Sequence, residues 1–128
     1  MFKLSISSKR NLQGVNTKLI DVINLALTIS LIDFGIPKDG GLRTAEQQNA
    51  LFKAGKSQLD GYVKKSNHQT GNAFDVFAYI DGKASWDKVH LTVVADAIMQ
   101  AADKLGVGLT WGGNWKTFVD MPHFELKQ

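Results

Sequence analysis

Ser66-Asn67-His68-Gln69-Thr70-Gly71-Asn72-Ala73-Phe74-Asp75 is the stretch on which the reading of this chain turns. It offers a histidine and an aspartate seven residues apart, bridged by a glycine. A glycine turn lets the following strand bring Asp75 back beneath His68. Alone, such a pair reads as a hydrogen-bonded surface couple. A second segment, Asp120-Met121-Pro122-His123-Phe124-Glu125-Leu126, adds another histidine with an acid three residues before it. Two imidazoles and one carboxylate leave a coordination position open for water, which marks a catalytic rather than a structural zinc. His68, Asp75 and His123 are thus the expected metal ligands and Zn2+ the expected cofactor. Asp120 is then free to act as the general base on that water. Pro122 biases Met121 toward extended backbone and helps to fix how His123 is presented. The same donor set occurs in the facial triad of non-haem iron oxygenases, but an acid beside the last ligand favours hydrolysis.

The rest of the chain limits the alternatives. With 128 residues and 44% hydrophobic content, a single domain over residues 1–128 is expected. There is no cysteine, which excludes thiolate ligands, disulfides and thiol catalysis. The N-terminus lacks the apolar run of a secretory signal. The most apolar stretch, 19–31, is interrupted by Asp21 and Asn24 and is too short to cross a bilayer. No membrane insertion is expected. The net charge of +3 comes from scattered lysines with no aromatic-interleaved stripe, so the expectation is a solvated basic surface and no nucleic-acid partner.

Asn16 can cap a helix with Leu19, Ile20, Ile23, Leu27 and Leu31 as its apolar stripe. Residues 32–36 read as a strand, and a turn at 38–41 presents Arg43. Thr44 with Gln47 resembles a capping box for a helix over 45–54, ended by Gly55. Residues 56–67 form a polar loop. Residues 72–80 read as one strand carrying Ala73, Asp75 and Phe77 on one face, with Asp81-Gly82 as a hairpin turn. A helix over 86–105 buries Val89, Val93, Val94, Ala97, Ile98 and Ala101 and ends at Gly106. His90 on it has no acid or histidine in register and is expected to be solvated. Strands at 109–111 and 123–126 complete an α+β chain with helices packed on an antiparallel sheet.

The ordered blocks Gly41-Leu42-Arg43-Thr44 with Gln48, Ser-x-His-x-x-Gly-x-Ala-x-Asp, Trp-Gly-Gly-x-Trp and Asp-x-Pro-His-Phe-Glu-Leu resemble the zinc peptidoglycan peptidases related to D-alanyl-D-alanine carboxypeptidases. Within that group the chain is most similar to small L-alanyl-D-glutamate endopeptidases that serve as phage endolysins, over residues 34–126. The resemblance implies a hedgehog/D-alanyl-D-alanine peptidase-like fold with a zinc cleft across a small sheet. It implies hydrolysis of peptide bonds in peptidoglycan stem peptides, above all the L-alanyl-D-glutamate bond, during host cell lysis. Arg43 would bind a substrate carboxylate or support the oxyanion. Ser66, Gln48 and Trp115 are candidate substrate-binding residues. Glu125 shares a strand face with His123 and is a candidate outer partner of that ligand. Asn114 stands where related sequences often carry an acid. The expected enzyme is a monomer without a separate cell-wall-binding domain. It would be made in the host cytoplasm without a signal peptide and act on peptidoglycan in the periplasm or cell wall. A D,D-carboxypeptidase or dipeptidase, and a non-catalytic zinc-binding wall module, remain the alternatives.

Overall fold

A computed structural model describes residues 1–127. The chain runs α1 (Ile6–Asn11), α2 (Thr17–Ile29), β1 (Asp33–Gly35), α3 (Ala45–Lys53), β2 (Ala73–Asp75), β3 (Phe77–Ile80), β4 (Lys83–Ser85), α4 (Lys88–Leu105), β5 (Leu109–Trp111) and β6 (His123–Leu126), with 3₁₀ turns at Asn67–Thr70 and Gly112–Asn114. It is an α+β fold in which helices pack on small antiparallel sheets. The strands form two three-stranded sheets, ordered β1-β3-β4 and β2-β6-β5.

The two long helices are set by their caps. Asn16 accepts a hydrogen bond from the Lys18 amide and Asp87 accepts one from the Val89 amide, each satisfying a donor that the first turn leaves orphaned. They pack on each other and bury Leu19, Val22, Ile23, Ala26 and Leu27 against Leu91, Val94, Ile98 and Ala101. Leu31 and Val89 depart from the expected stripes. α2 stops at Ile29, which leaves Leu31 85% exposed, and Val89 lies in the first turn of α4, 70% exposed.

The run 72–80 is two strands rather than one. β2 pairs with β6, with Asp75 opposite His123 and Phe74 opposite Phe124. At Val76 the chain leaves that sheet, its amide donating to the Pro122 carbonyl, and β3 then pairs with β1 and β4. Ala73 and Asp75 therefore do not share a sheet face with Phe77. The stacked rings of Phe74 and Phe124, 5.2 Å apart and wholly buried, weld the β2–β6 pair into the core. Removing either ring would cost about 3–5 kcal/mol. The hairpin at Asp81-Gly82 has positive φ at both residues, as a two-residue connection with this twist requires.

Candidate metal centre and cleft

Three segments bring the ligand atoms together. His68 sits in the turn Asn67–Thr70, whose amides are capped by Ser66, while the Gln69 side chain returns a bond to the Ser66 amide. Gly71 ends the turn at φ +76, and a Cβ there would press on the Gly14 carbonyl, so only glycine fits comfortably. Asp75 is the last residue of β2 and His123 the first of β6, directly opposite each other in the ladder.

The result is a small triangle. His68 Nε2 lies 3.1 Å from His123 Nδ1, His123 Nδ1 lies 3.2 Å from Asp75 Oδ1, and His68 Nε2 lies 3.3 Å from the same oxygen. Four-coordinate zinc with bonds of about 2.0–2.1 Å separates neighbouring donors by roughly 3.3 Å. The far side of each ring decides what it presents to the triangle. His68 Nδ1 is 2.8 Å from the Gly41 carbonyl and must donate to it. His123 Nε2 is 2.7 Å from Glu125 Oε1 and donates there. Those bonds assign the inward nitrogens as bare lone pairs beside a carboxylate. Three electron pairs at such distances require a shared cation or proton, and the donor chemistry fits zinc.

The electrostatics agree. Burial alone would lower the pKa of His123, but hydrogen bonds to Asp75 and Glu125 outweigh it and push it up to about 9. Burial alone would raise Asp75, yet His123 and His68 hold its carboxyl well below the usual carboxylate range. Where no metal is bound, the triangle therefore holds a proton. Metal uptake should release it, and below pH 9 the apparent affinity should weaken about tenfold per unit of pH. Calorimetry in buffers of different ionisation enthalpy reads that proton, and its absence would contradict the raised pKa of His123. The same raised pKa contributes stability to the metal-free protein that is complete below its ordinary 6.5 and is lost as pH rises through about 9.

Around the triangle the residues divide into cleft wall and buried support. Arg43 was expected at the substrate, but its guanidinium is largely committed to the protein. Nε donates to the Asp39 carbonyl, Nη1 to Gln48 Oε1 and Nη2 to Asp75 Oδ2 at 2.9 Å. Arg43 thus fixes the Asp75 carboxylate by its second oxygen, leaving two of five N–H groups uncommitted. Gln48 cannot touch substrate, because it is wholly buried. It joins Arg43 to Ser57 Oγ and the Leu59 carbonyl, both at 2.8 Å. A substrate role was expected there because Gln48 stands five residues after Arg43 in the segment that resembles the family's, and only burial shows that it faces inward. Gln48→Leu should remove the bonds of three half-buried partners and lower stability by about 1–3 kcal/mol. A urea midpoint unchanged from wild type would contradict this.

Ser66 is buried and spends its hydroxyl on the His68 amide, so it positions the ligand turn. Trp115 lines the cleft with its ring 5.3 Å from that of His123. Glu125 bonds His123 with one oxygen and Asn67 with the other. His90, expected to be solvated, is half-buried and bonded to Ser85 Oγ at 2.7 Å.

Asp120 lies in the same cleft, at the end of the loop that follows Gly112–Asn114. It is exposed by area, yet enough protein surrounds its carboxyl group that desolvation, joined by the charge of Asp75, raises its pKa. Its backbone is pinned. The Asp120 amide donates to the Gly112 carbonyl, the His123 amide donates to the Asp120 carbonyl, and a Cβ at Gly112 would collide with that carbonyl. The first glycine of the Trp-Gly-Gly-Asn-Trp motif is there to let Asp120 approach. The cleft, of about 1110 Å³, is also bordered by the loop of residues 56–67 and by Trp86 and Lys38.

Comparison with known proteins fits this geometry. The family described as phage L-alanyl-D-glutamate peptidase matches residues 1–127. The chain is 35% identical over 128 residues to the L-alanyl-D-glutamate peptidase of Escherichia phage T5, covering 99% of this chain and 90% of that protein. It is 30% identical over 95 residues to the peptidoglycan L-alanyl-D-glutamate endopeptidase CwlK of Bacillus subtilis (strain 168), covering 67% of this chain and 57% of the relative. The crystal structure of the Serratia marcescens L-Ala D-Glu endopeptidase ChiX superposes with a TM-score of 0.85 at 39% identity, over 98% of this chain and 90% of that one.

Proposed function

Because this chain belongs to the phage L-alanyl-D-glutamate peptidase family, we propose that it hydrolyses the L-alanyl-D-glutamate bond of peptidoglycan stem peptides with one zinc ion held by His68, Asp75 and His123. The observation that carries the metal is the triangle of lone pairs, each ring oriented by an outer partner. A zinc ion there supplies Lewis acidity, polarising a carbonyl and bringing the pKa of water to about 7. Asp120 accepts the proton of the attacking water and passes it to the leaving amine of D-glutamate, a task suited to a carboxylate whose pKa is raised. Arg43 holds Asp75 in place and borders the cleft, where its two uncommitted N–H groups are available to the developing oxyanion. Trp115 lines the cleft beside His123, where it can pack against bound substrate.

No helix among the described residues is long and apolar enough to cross a membrane. The enzyme acts as a phage lysin and monomer, reaching the periplasmic wall from the host cytoplasm once the inner membrane is opened. Digestion of purified peptidoglycan should expose N-terminal D-glutamate, leave the glycan strands intact and release no D-alanine. Free D-alanine as the main product, read by mass spectrometry of defined muropeptides, would make it a carboxypeptidase instead.

A further inference from the structure

We propose that Phe77, Tyr79 and Trp86 form a binding site for the glycan strand of peptidoglycan, which meets the metal cleft at Trp86. The proposal builds on the peptidase reading above and names the part of the substrate that lies beyond the scissile peptide.

The strip follows from strand alternation. In β3, Ala78 points into the core and is fully buried, so Phe77 and Tyr79 share the outer face. Their cross-strand neighbours on that face are small or short: Gly35 opposite Phe77, and Asp33 and Ala84 opposite Tyr79. No large cross-strand side chain covers the rings, while Phe77 itself lies over Gly35 and is half-buried. Trp86 follows β4, and its ring centroid lies 6.0 Å from that of Phe77, which lies 6.4 Å from that of Tyr79. Tyr79 is 45% and Trp86 52% exposed. Burying two such rings in water's place is favourable, and a monomer that leaves them open has an occupant to gain.

Trp86 is held ready rather than left loose. Ser85 Oγ bonds His90 of α4 and accepts the Asp87 amide, and Asp87 caps α4. The indole thus projects from a corner fixed on both sides. Its Nε1 and the Tyr79 hydroxyl make no hydrogen bond among the described residues. Trp111 shows the opposite arrangement: its indole donates to the Met121 carbonyl and stacks on Phe124, as a packing residue does.

The occupant follows from chemistry. A pyranose offers a face of C–H groups to the electron-rich face of an aromatic ring, and hydroxyls at its rim to an indole N–H or a phenol. The three rings carry no charge, which suits a neutral sugar better than the anionic end of a stem peptide. Trp86 lines the cleft together with Pro37 and Lys38, so the strip meets the cleft at its Trp86 end. In the substrate, L-alanine is joined through a lactyl group to muramic acid. Two residue lengths, about 7 Å, thus separate the scissile carbonyl from the first sugar. A cleft that holds the bond must leave room for that sugar at its edge.

The test compares kcat/KM on a disaccharide muropeptide with that on the same stem peptide bearing an N-acetyl group and no sugar. Trp86→Ala and Tyr79→Ala should each lower the ratio in favour of the muropeptide, by about tenfold for the tryptophan. An unchanged ratio, with both substrates affected equally or neither, overturns the subsite. A second arm needs no hydrolysis: glycan strands stripped of peptides by an amidase are titrated into the protein and followed by NMR. Wild-type protein should bind them and Trp86→Ala should not. Binding of stripped strands by a protein that cleaves neither substrate would sink the peptidase reading and keep the subsite. Failure to bind them, together with self-association that Trp86→Ala abolishes, would assign the strip to a second copy of the chain and overturn the proposal.

Discussion

His123→Ala will purify without stoichiometric metal and will not lyse exposed peptidoglycan. The imidazole supplies one of three inward lone pairs, and its loss leaves His68 Nε2 and Asp75 Oδ1, 3.3 Å apart, as the only strong donors. Losing an outer partner of a ligand typically costs 10–100-fold in metal affinity, and losing the ligand itself costs more. Two further effects add to this. Glu125 is left with a carboxylate oxygen that has lost its donor, and Asp75 loses a partner that holds its charge in place. The fold should survive, because the Phe74–Phe124 stack that anchors β2 to β6 is untouched. Metal content by elemental analysis, with circular dichroism as the check on folding, decides the matter. One zinc per chain in a folded His68→Ala/His123→Ala double variant would refute the ligand assignment.

Asp120→Asn separates chemistry from binding. The carboxamide keeps the size of the carboxylate and the backbone bonds to Gly112 and His123, so geometry and metal should be retained. It cannot accept a proton, and turnover should fall by ~10²–10⁴-fold, the usual worth of a positioned acid–base group. KM should change little. Near-wild-type turnover in a metal-loaded Asp120→Asn enzyme would move the proton work to another group, with Glu125 the first candidate.

What could be read from the chain depended on whether the relevant contact was local. The His68–Asp75 pairing is closed by one turn, and its signal lies in ten consecutive residues. The Thr44–Gln47 capping box was legible for the same reason, and both of its bonds are present. Arg43 and Gln48 were recognised as site residues, but their direction was not. Whether a polar side chain faces substrate or a buried neighbour depends on packing from Ser57 and Leu59, which no local pattern encodes. The break at Val76 was invisible because alternation continues through it while the partner strand changes. α1 gave no apolar stripe to read, since its single buried residue is Ser8.

The cleft also sorts its charges. Its lining holds five cations, Lys38, Arg43, Lys56, Lys65 and Lys116, against four acids, Asp39, Asp75, Asp120 and Glu125. Three of those acids, Asp75, Asp120 and Glu125, lie around the triangle, so a cluster that suits a dication sits inside a cleft whose lining is cationic in sum. A stem peptide carries carboxylates of its own, and the lysines favour its approach. Capture of the substrate should therefore weaken as added salt screens those charges, with kcat/KM falling more than kcat.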